Sequence, residues 1–350
     1  MSKNKTLNDA ARAKKDKFYT QLEDIENELY HYREFFRGKS VLCNCDDPFE
    51  SNFFQYFALK FNDLELKKLV TTSYADSPIA GLEISLFPDG KTAYMTEVDE
   101  LRDWNGDGRE DLDDVELAIR SGIYKKRPLT GDHKYCAGDF RSKELIDLLK
   151  VADVVVTNPP FSVFREFVAT MIAANKKFLV IGNMNAVTYK EIFPLIMQNK
   201  LWLGYGFNAG NAYFSLPYGS YKDFADGVYD IDTGLVKFRN VHWFTNIETP
   251  KRYWDIPLFK SYREEPERYP HYDNYDAIEV SKTAHIPCDY DGVMGVPITF
   301  LDKYNPNQFE IVGVANHGKD SEFDLFAPKI NGKNIFKRIL IRRKQPENSW

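Results

Sequence analysis

The sequence predicts an α/β protein in which a doubly wound core, a parallel sheet covered by helices, gives way near residue 200 to a loop-rich, β-containing region. Three observations carry this. Short β-branched runs alternate with helical stretches, the strand, helix, strand unit of a parallel sheet. Each helical stretch keeps its apolar residues three or four positions apart. Beyond Leu201, Gly, Tyr, Pro and Asn become frequent and the apparent elements shorten.

Taken in order, Thr20 and Glu23 read as a capping box, hydroxyl and carboxylate satisfying orphan amides of a first turn. Leu22, Ile25, Leu29, Tyr32 and Phe36 then recur along one face, and Gly38 stops the helix. Residues 40–45 form a short buried strand that ends in the polar turn Asp46-Asp47-Pro48. A helix is expected over 51–61, with Phe53, Phe54, Phe57 and Phe61 on its apolar side, then a strand over 66–74. After an irregular acidic stretch, helices are expected over 142–150, 164–175 and 189–199, and strands over 151–157 and 177–182. Residues 241–245, 295–301 and 335–341 read as later strands. The expected division is a core over 1–200, with an acidic insertion at about 90–130, and a second region over 201–350, some of whose strands return to the core sheet. No internal repeat is evident.

Composition bounds the function. A chain of 350 residues, 43% hydrophobic and 28% charged, has the make-up of an ordinary soluble globular protein. No stretch approaches the roughly 20 apolar residues that span a bilayer. The polar N-terminus lacks the apolar segment of a secretory signal. Cys43, Cys45, Cys136 and Cys288 are too scattered for a disulfide scaffold, so reduced thiols and a cytoplasmic location are expected. The net charge of −6 argues against a non-specific polyanion binder. Two basic runs stand out locally. One contains Lys3, Lys5, Arg12, Lys14, Lys15 and Lys17; the other contains Lys329, Lys333, Lys337, Arg338, Arg342, Arg343 and Lys344. Solvated chain ends explain both equally well.

The chemistry is carried by Asn158-Pro159-Pro160-Phe161, directly after the strand expected at 151–157. Ligands of open parallel sheets bind at the carboxyl ends of strands, where this tetrapeptide lies. Consecutive prolines stiffen the backbone and remove two amide donors, leaving a rigid turn that presents a carbonyl and an amide side chain. Such a turn suits adenine N6, whose lone pair is delocalised into the ring. Acceptors on its two N–H bonds, the Asn158 side-chain oxygen and the Pro159 carbonyl, draw it toward a nucleophilic geometry. Phe161 stacks on the base. Reaching N6 in this way requires the base to leave the duplex. Upstream by one helix and one strand, Gly138-Asp139-Phe140 offers an acceptor and a ring for a cofactor adenine. A plain turn is the bland alternative for each motif.

The insertion holds a different signal. Asp103, Asn105, Asp107, Asp111 and Asp114, with Gly108 between, have the spacing of a calcium-binding loop, although position 12 is Asp rather than Glu. A structural calcium is one expectation; a hydrophilic turn with surplus acid is the other. A helix is expected over 112–121. Residues 204–219, rich in Gly and aromatics, and VHWFTN at 241–246 form either a base-prying loop or a surface excursion.

Several longer strings go further. Phe18-Tyr19-Thr20, CNCDDP at 43–48, SNFF at 51–54, GDFRS at 138–142, TNPPF at 157–161, KKFLVIGN at 176–183, YDNYDAIEV at 272–280, DGVMGVPITFLDKYNP at 291–306 and RILI at 338–341 resemble the EcoRI-type adenine-specific DNA methyltransferases. The resemblance covers most of the chain, and 203–252 matches least. It implies a Rossmann-like S-adenosylmethionine-dependent methyltransferase fold with a target-recognition region over 201–350. It implies double-stranded DNA as substrate, no membrane, a monomer, and a separately encoded restriction nuclease or an orphan role. By the same resemblance Asn158, Pro159, Pro160 and Phe161 form the catalytic loop. Asp139 and Phe140 contact the cofactor adenosine, and Phe18, Tyr19 and Thr20 border its methionine end. Asn44, Cys45 and Asp46 occupy the first-strand position, where many methyltransferases carry a glycine-rich loop that this chain lacks. Methylation of RNA or of a protein glutamine, or a silent DNA-binding module, are the alternatives.

Overall fold

Buried aromatic and β-branched side chains decide where the elements form. The computed structural model describes residues 19–49, 51–73, 93–207, 210–216, 227–316 and 324–344. Its strands begin with β1 (Tyr19–Thr20), β2 (Ser40–Cys43), β3 (Lys68–Thr72), β4 (Tyr94–Val98), β5 (Lys125–Pro128), β6 (Val154–Thr157) and β7 (Lys177–Asn183). The chain folds into two compact units, residues 1–183 with 206–247, and residues 184–205 with 248–350. Both are mixed in α and β structure.

In the first unit the central sheet runs β5-β4-β3-β2-β6-β7, with Val241–Thr245 beyond β7. β2 is parallel to β3 and to β6, and β6 to β7; β4, β5 and Val241–Thr245 run antiparallel to their neighbours. Val154, Val155 and Val156 are buried completely, as a central strand covered on both faces must be. The helix Asn52–Leu59 follows β2 and buries Phe53, Phe54, Tyr56, Phe57 and Ala58. Phe57 meets Phe36 edge to face at 5.1 Å, and Phe53 meets Trp243 at 5.8 Å. Full burial of each such ring contributes roughly 1.5–3 kcal/mol. Lys143–Val151 precedes β6, capped by the Ser142 hydroxyl, and Phe164–Ala173 links β6 to β7.

Several expected features change; the strand expected over 295–301 stops at Pro297, where the 3-10 helix Ile298–Lys303 begins. The capping box does not form: the helix begins at Leu22 with Gln21 as its N-cap, and Thr20 instead pairs with Phe214 in β1. A long-range strand partner has taken the residue that local pattern assigned to a cap. That helix also breaks into Leu22–Leu29, a 3-10 turn at Tyr30–Tyr32 and Arg33–Phe36. The helix expected over 189–199 shrinks to Phe193–Met197, with Pro194 in its first turn, where the missing amide costs nothing.

The second unit holds a five-stranded sheet in the order Ala277–Glu279, Val293–Pro297, Arg338–Arg343, Phe309–Ala315, Asp324–Leu325. On this sheet Arg338 makes a forked pair with the buried Glu279 (2.6 Å), which also accepts the Tyr272 hydroxyl. Gly295 makes room for that hydroxyl, since a Cβ there would lie 2.1 Å from it. Among the described residues no helix is long and apolar enough to cross a membrane.

Candidate active site

The parallel strands β2, β3, β6 and β7 end on one edge of the sheet, and two of the expected segments, Asn44-Cys45-Asp46 after β2 and the turn from Asn158 after β6, leave from it. Side-chain hydroxyls knit the strand ends together. Thr157, the last residue of β6, donates to the Asn44 carbonyl (2.5 Å) and to Asp46 Oδ2 (2.7 Å). Asp46 Oδ1 accepts the Ser51 hydroxyl at 2.7 Å, and the Asp46 carbonyl accepts the Thr71 hydroxyl. Asn44 Oδ1 accepts the Thr72 hydroxyl at 2.9 Å. The turn after β2 is thereby tied to β3, to β6 and to the following helix at once. Asn158 leaves β6 from the residue that closes this knot.

Backbone geometry marks the same place. Cys45 adopts φ +67°, a left-handed conformation that costs a side chain of this kind on the order of 1 kcal/mol. Its N–H donates to the Thr72 hydroxyl at 3.3 Å. The chain thus makes a glycine-like turn without glycine. Burial, with the charge of Asp46 nearby, pushes the neighbouring Cys43 thiol well above its usual range, so Cys43 is a packing residue.

From that turn the network reaches β1. Ser51 caps the helix Asn52–Leu59 by accepting from the Phe53 and Phe54 amides. The first helical residue, Asn52, donates to the Thr20 carbonyl at 2.7 Å. Thr20 is buried, and its hydroxyl has no hydrogen-bond partner among the described residues. Tyr19 lies beside it, paired with Ser215; Phe18 lies outside the described residues. On the other flank, Asp47 accepts from the Phe49 amide and the Tyr94 hydroxyl, each at 3.0 Å. Lys126 sits 3.8 Å over the Tyr94 ring. Burial lowers its ammonium pKa and the Asp47 charge opposes that.

After β6, Pro159 is buried, whereas Asn158, Pro160 and Phe161 are partly exposed. Phe161–Val163 forms a 3-10 turn that leads into the helix Phe164–Ala173. Gly182 of β7 seats this helix: a Cβ there would lie 2.4 Å from the Phe164 ring, which also packs edge to face on Phe244 at 5.0 Å. Asp139 and Phe140 are both buried. Asp139 is gripped by Arg141, which donates to Oδ1 at 2.9 Å and to Oδ2 at 2.7 Å, and Phe140 packs on Phe167 at 5.0 Å.

A family model described as adenine-specific methyltransferase EcoRI matches residues 6–344. The chain belongs to this family. It is 45% identical to the type II methyltransferase M.EcoRI of Escherichia coli, over 98% of this chain and 97% of the relative. It is 34% identical to the type II methyltransferase M.MgeORF184P of Mycoplasma genitalium, over 97% of this chain and 99% of the relative. M.MpnI of Mycoplasma pneumoniae, another type II methyltransferase, is also 34% identical, over 97% and 98% respectively. No solved structure matches significantly. The chain is an adenine-specific methyltransferase enzyme.

The calcium expectation needs correction. No group of three or more His, Cys, Asp or Glu side chains among the described residues is placed to hold a metal ion. The loop's carboxylates are turned onto its own backbone. Asp103 accepts from the amides of Gly106, Asp107 and Gly108; Asn105 accepts from Asp107, and Asp107 from Arg109. Asp111 and Asp114 form a capping box on the helix Leu112–Ser121. Asp114 is fully buried, accepting from Trp104, Asn105 and Asp111. The acids that suggested an ion are those of a helix entry.

Ser51, Asn52, Thr71, Thr72, Thr157 and Gly182 were not among the expected site residues. A signal for some existed: β3 ends in Thr71-Thr72 and β6 in Thr157, hydroxyls at the carboxyl ends of strands that also carry the polar turns.

Proposed function

We propose that the chain methylates the N6 of an adenine flipped out of double-stranded DNA, using S-adenosylmethionine, the donor its family implies. What supports this reading is a connection from Thr20 to Asn158 in which three hydrogen bonds, Asn52 to Thr20, Ser51 to Asp46 and Thr157 to Asp46, are joined by the peptide bonds 51–52 and 157–158. It couples the proposed methionine-end segment to the proposed catalytic turn through one rigid knot.

The residues present fit the donor. Tyr19 and Thr20, with a buried hydroxyl still lacking a partner among the described residues, border its methionine end. The left-handed turn at Asn44 and Cys45 offers the close backbone approach that glycines provide elsewhere. Asp139, whose carboxylate keeps lone pairs beyond those engaged by Arg141, and Phe140 serve the adenosine end. When bound, the donor supplies a methyl group already activated on a sulfonium, so the protein's work is placement. The Asn158 side-chain oxygen and the Pro159 carbonyl accept the two N6 hydrogens and localise the nitrogen lone pair. Once its new bond to carbon forms, N6 carries a positive charge and sheds one of these hydrogens as a proton to solvent, the two carbonyl oxygens being acceptors of hydrogen bonds and not bases. Phe161 stacks on the base. Asp46 and Thr157 position Asn158 without touching the reacting atoms.

The fold in this reading is the Rossmann-like methyltransferase fold, its substrates meeting at the carboxyl edge between β2 and β6. Target recognition falls to residues 201–350, and the enzyme acts as a monomer. It is the modification partner of a separately encoded restriction nuclease or an orphan relative.

The test is expression in a methylation-deficient host with genome-wide single-molecule mapping, beside Asn158→Ala. N6-methyladenine at one short motif in the wild type is expected, with the variant reduced by on the order of 10²–10³ in rate, as for loss of one oriented polar group. Full methylation by the variant would remove Asn158 from the mechanism. No modified adenine from folded protein that binds the donor would move the acceptor to RNA or protein.

A further inference from the structure

The second unit sorts its basic run into engaged and unengaged charges. Arg338 pairs with Glu279, Arg342 with Glu310 (3.5 Å) and Arg343 with Asp291 (3.0 Å). Lys337 donates to the Thr188 hydroxyl at 3.1 Å and Lys344 to the Pro306 carbonyl at 2.7 Å. Lys329 and Lys333 are exposed, and neither side chain makes an ion pair or hydrogen bond among the described residues.

Both unengaged lysines lie on one β-hairpin. Lys329–Ile330 pairs antiparallel with Lys333–Asn334 across the turn Asn331-Gly332. The two turn residues have φ of +51° and +73°, as a type I′ hairpin turn requires. So short a ladder is not stable alone, and residues 273–275 brace it. Asp273 accepts from the tip amides of Asn331 (3.1 Å) and Gly332 (2.7 Å), and its own N–H donates to the Lys329 carbonyl at 2.8 Å. Asn274 accepts the Lys329 N–H at 2.9 Å and donates to the Ala327 carbonyl at 3.0 Å. The Tyr275 hydroxyl donates to the Phe326 carbonyl. The Asp273 carboxylate thus holds the tip by its backbone amides. Phe336, directly after the hairpin, is 62% exposed.

The register puts the lysines on opposite faces. Lys333 stands across from Ile330, and Ile330 points away from the face of its neighbour Lys329. A stiff ribbon with a positive charge on each face matches a DNA groove, which has phosphates on both walls and, on the major side, width for two strands.

We propose that the hairpin 329–334 is a DNA-contacting element that enters a groove tip first, with Lys329 and Lys333 engaging phosphates on its two walls. This rests on duplex DNA being the substrate. Phosphate contacts position a protein and leave a signature in salt dependence, because each one releases condensed counterions.

The experiment measures the affinity of the full chain for a duplex of several helical turns across a series of potassium chloride concentrations. It compares the wild type with the Lys329→Gln, Lys333→Gln pair and the Lys329→Arg, Lys333→Arg pair. The glutamine pair should weaken binding and flatten the slope of log affinity against log salt by about 2, roughly 0.9 per lost phosphate contact. The arginine pair should restore the slope. An unchanged slope and affinity in the glutamine pair would overturn the proposal even if the enzyme methylates DNA. A wild type that binds duplex with the expected slopes but never methylates it would instead count against the proposed activity alone.

Discussion

Two polar turns rich in carboxylates invite the same reading and behave in opposite ways. The turn at 44–48 draws its partners from far along the chain: Thr71, Thr72 and Thr157 come from two other strands. The loop at 103–114 draws them from within itself, its carboxylates closing on amides two to ten residues away. A loop that satisfies its own acids has spent its capacity to bind anything else. A turn held from three directions keeps its backbone in the left-handed geometry of Cys45 and delivers Asn158 to a defined place. What separates a candidate site from a structural clip is the origin of the partners, since composition is alike in both.

The sharpest way to break this contrast is Asp46→Ala. The substitution leaves the buried Ser51 hydroxyl without its acceptor and Thr157 with only the Asn44 carbonyl, and we expect a loss of about 3 kcal/mol in urea unfolding together with a collapse of turnover. A variant that kept both properties would demote the knot to a bystander. Asp114→Ala should cost less, about 2 kcal/mol, because the amides of Trp104, Asn105 and Asp111 that it releases are only part-buried and can turn to water. Its turnover should survive at temperatures where it stays folded. Adding calcium or a chelator should leave the wild-type melting midpoint unchanged; a calcium-dependent rise would restore the ion to the loop.

The smallest expected effect concerns Asp24. Burial, reinforced by Glu23 and opposed by a backbone hydrogen bond at Tyr213, raises its carboxyl from 3.8 to about 6. The folded state therefore holds a proton that the unfolded chain has released. The resulting penalty is absent below pH 3.8, grows between 3.8 and about 6, and is full above that. Asp24→Asn should stabilise the protein by on the order of 1 kcal/mol at pH 7.5, after allowance for its partial exposure, and much less at pH 4. Equal effects at the two pH values would show that the carboxyl titrates normally. Asp114 has the opposite sign. Burial works to raise it, but the amides of Asp111, Asn105 and Trp104 prevail and hold it low, so its contribution is lost only in acid.

Helices with a strong apolar stripe were readable from local pattern. The helix over 112–121 forms at the expected residues, and those expected at 51–61 and 142–150 differ only at their ends. Thr20 was misread because its capping pattern is local while its strand partner, Phe214, is distant in sequence. The hairpin at 329–334 was missed although Asn331-Gly332 is a strong two-residue turn signal, because its strands are too short to show alternation. The tetrapeptide 158–161 needed no structure to be noticed, since its chemistry is written in adjacent residues. The residues that hold it, Ser51, Thr71, Thr72 and Thr157, left at most a signal of hydroxyls at strand ends, because a hydroxyl declares nothing about which distant carboxylate it will meet.

The order of residues alone settled the α/β class, the family and the position of the Asn158 turn, all of which depend on short-range periodicity or contiguous strings. Folding in three dimensions decided that Asp46 is a clamp, that the acids of 103–114 cap a helix, and which two lysines of the basic run keep a charge unengaged among the described residues. Each of those outcomes depends on which polar groups find partners across the chain. Such pairing is set by strand register and packing, which no local pattern records.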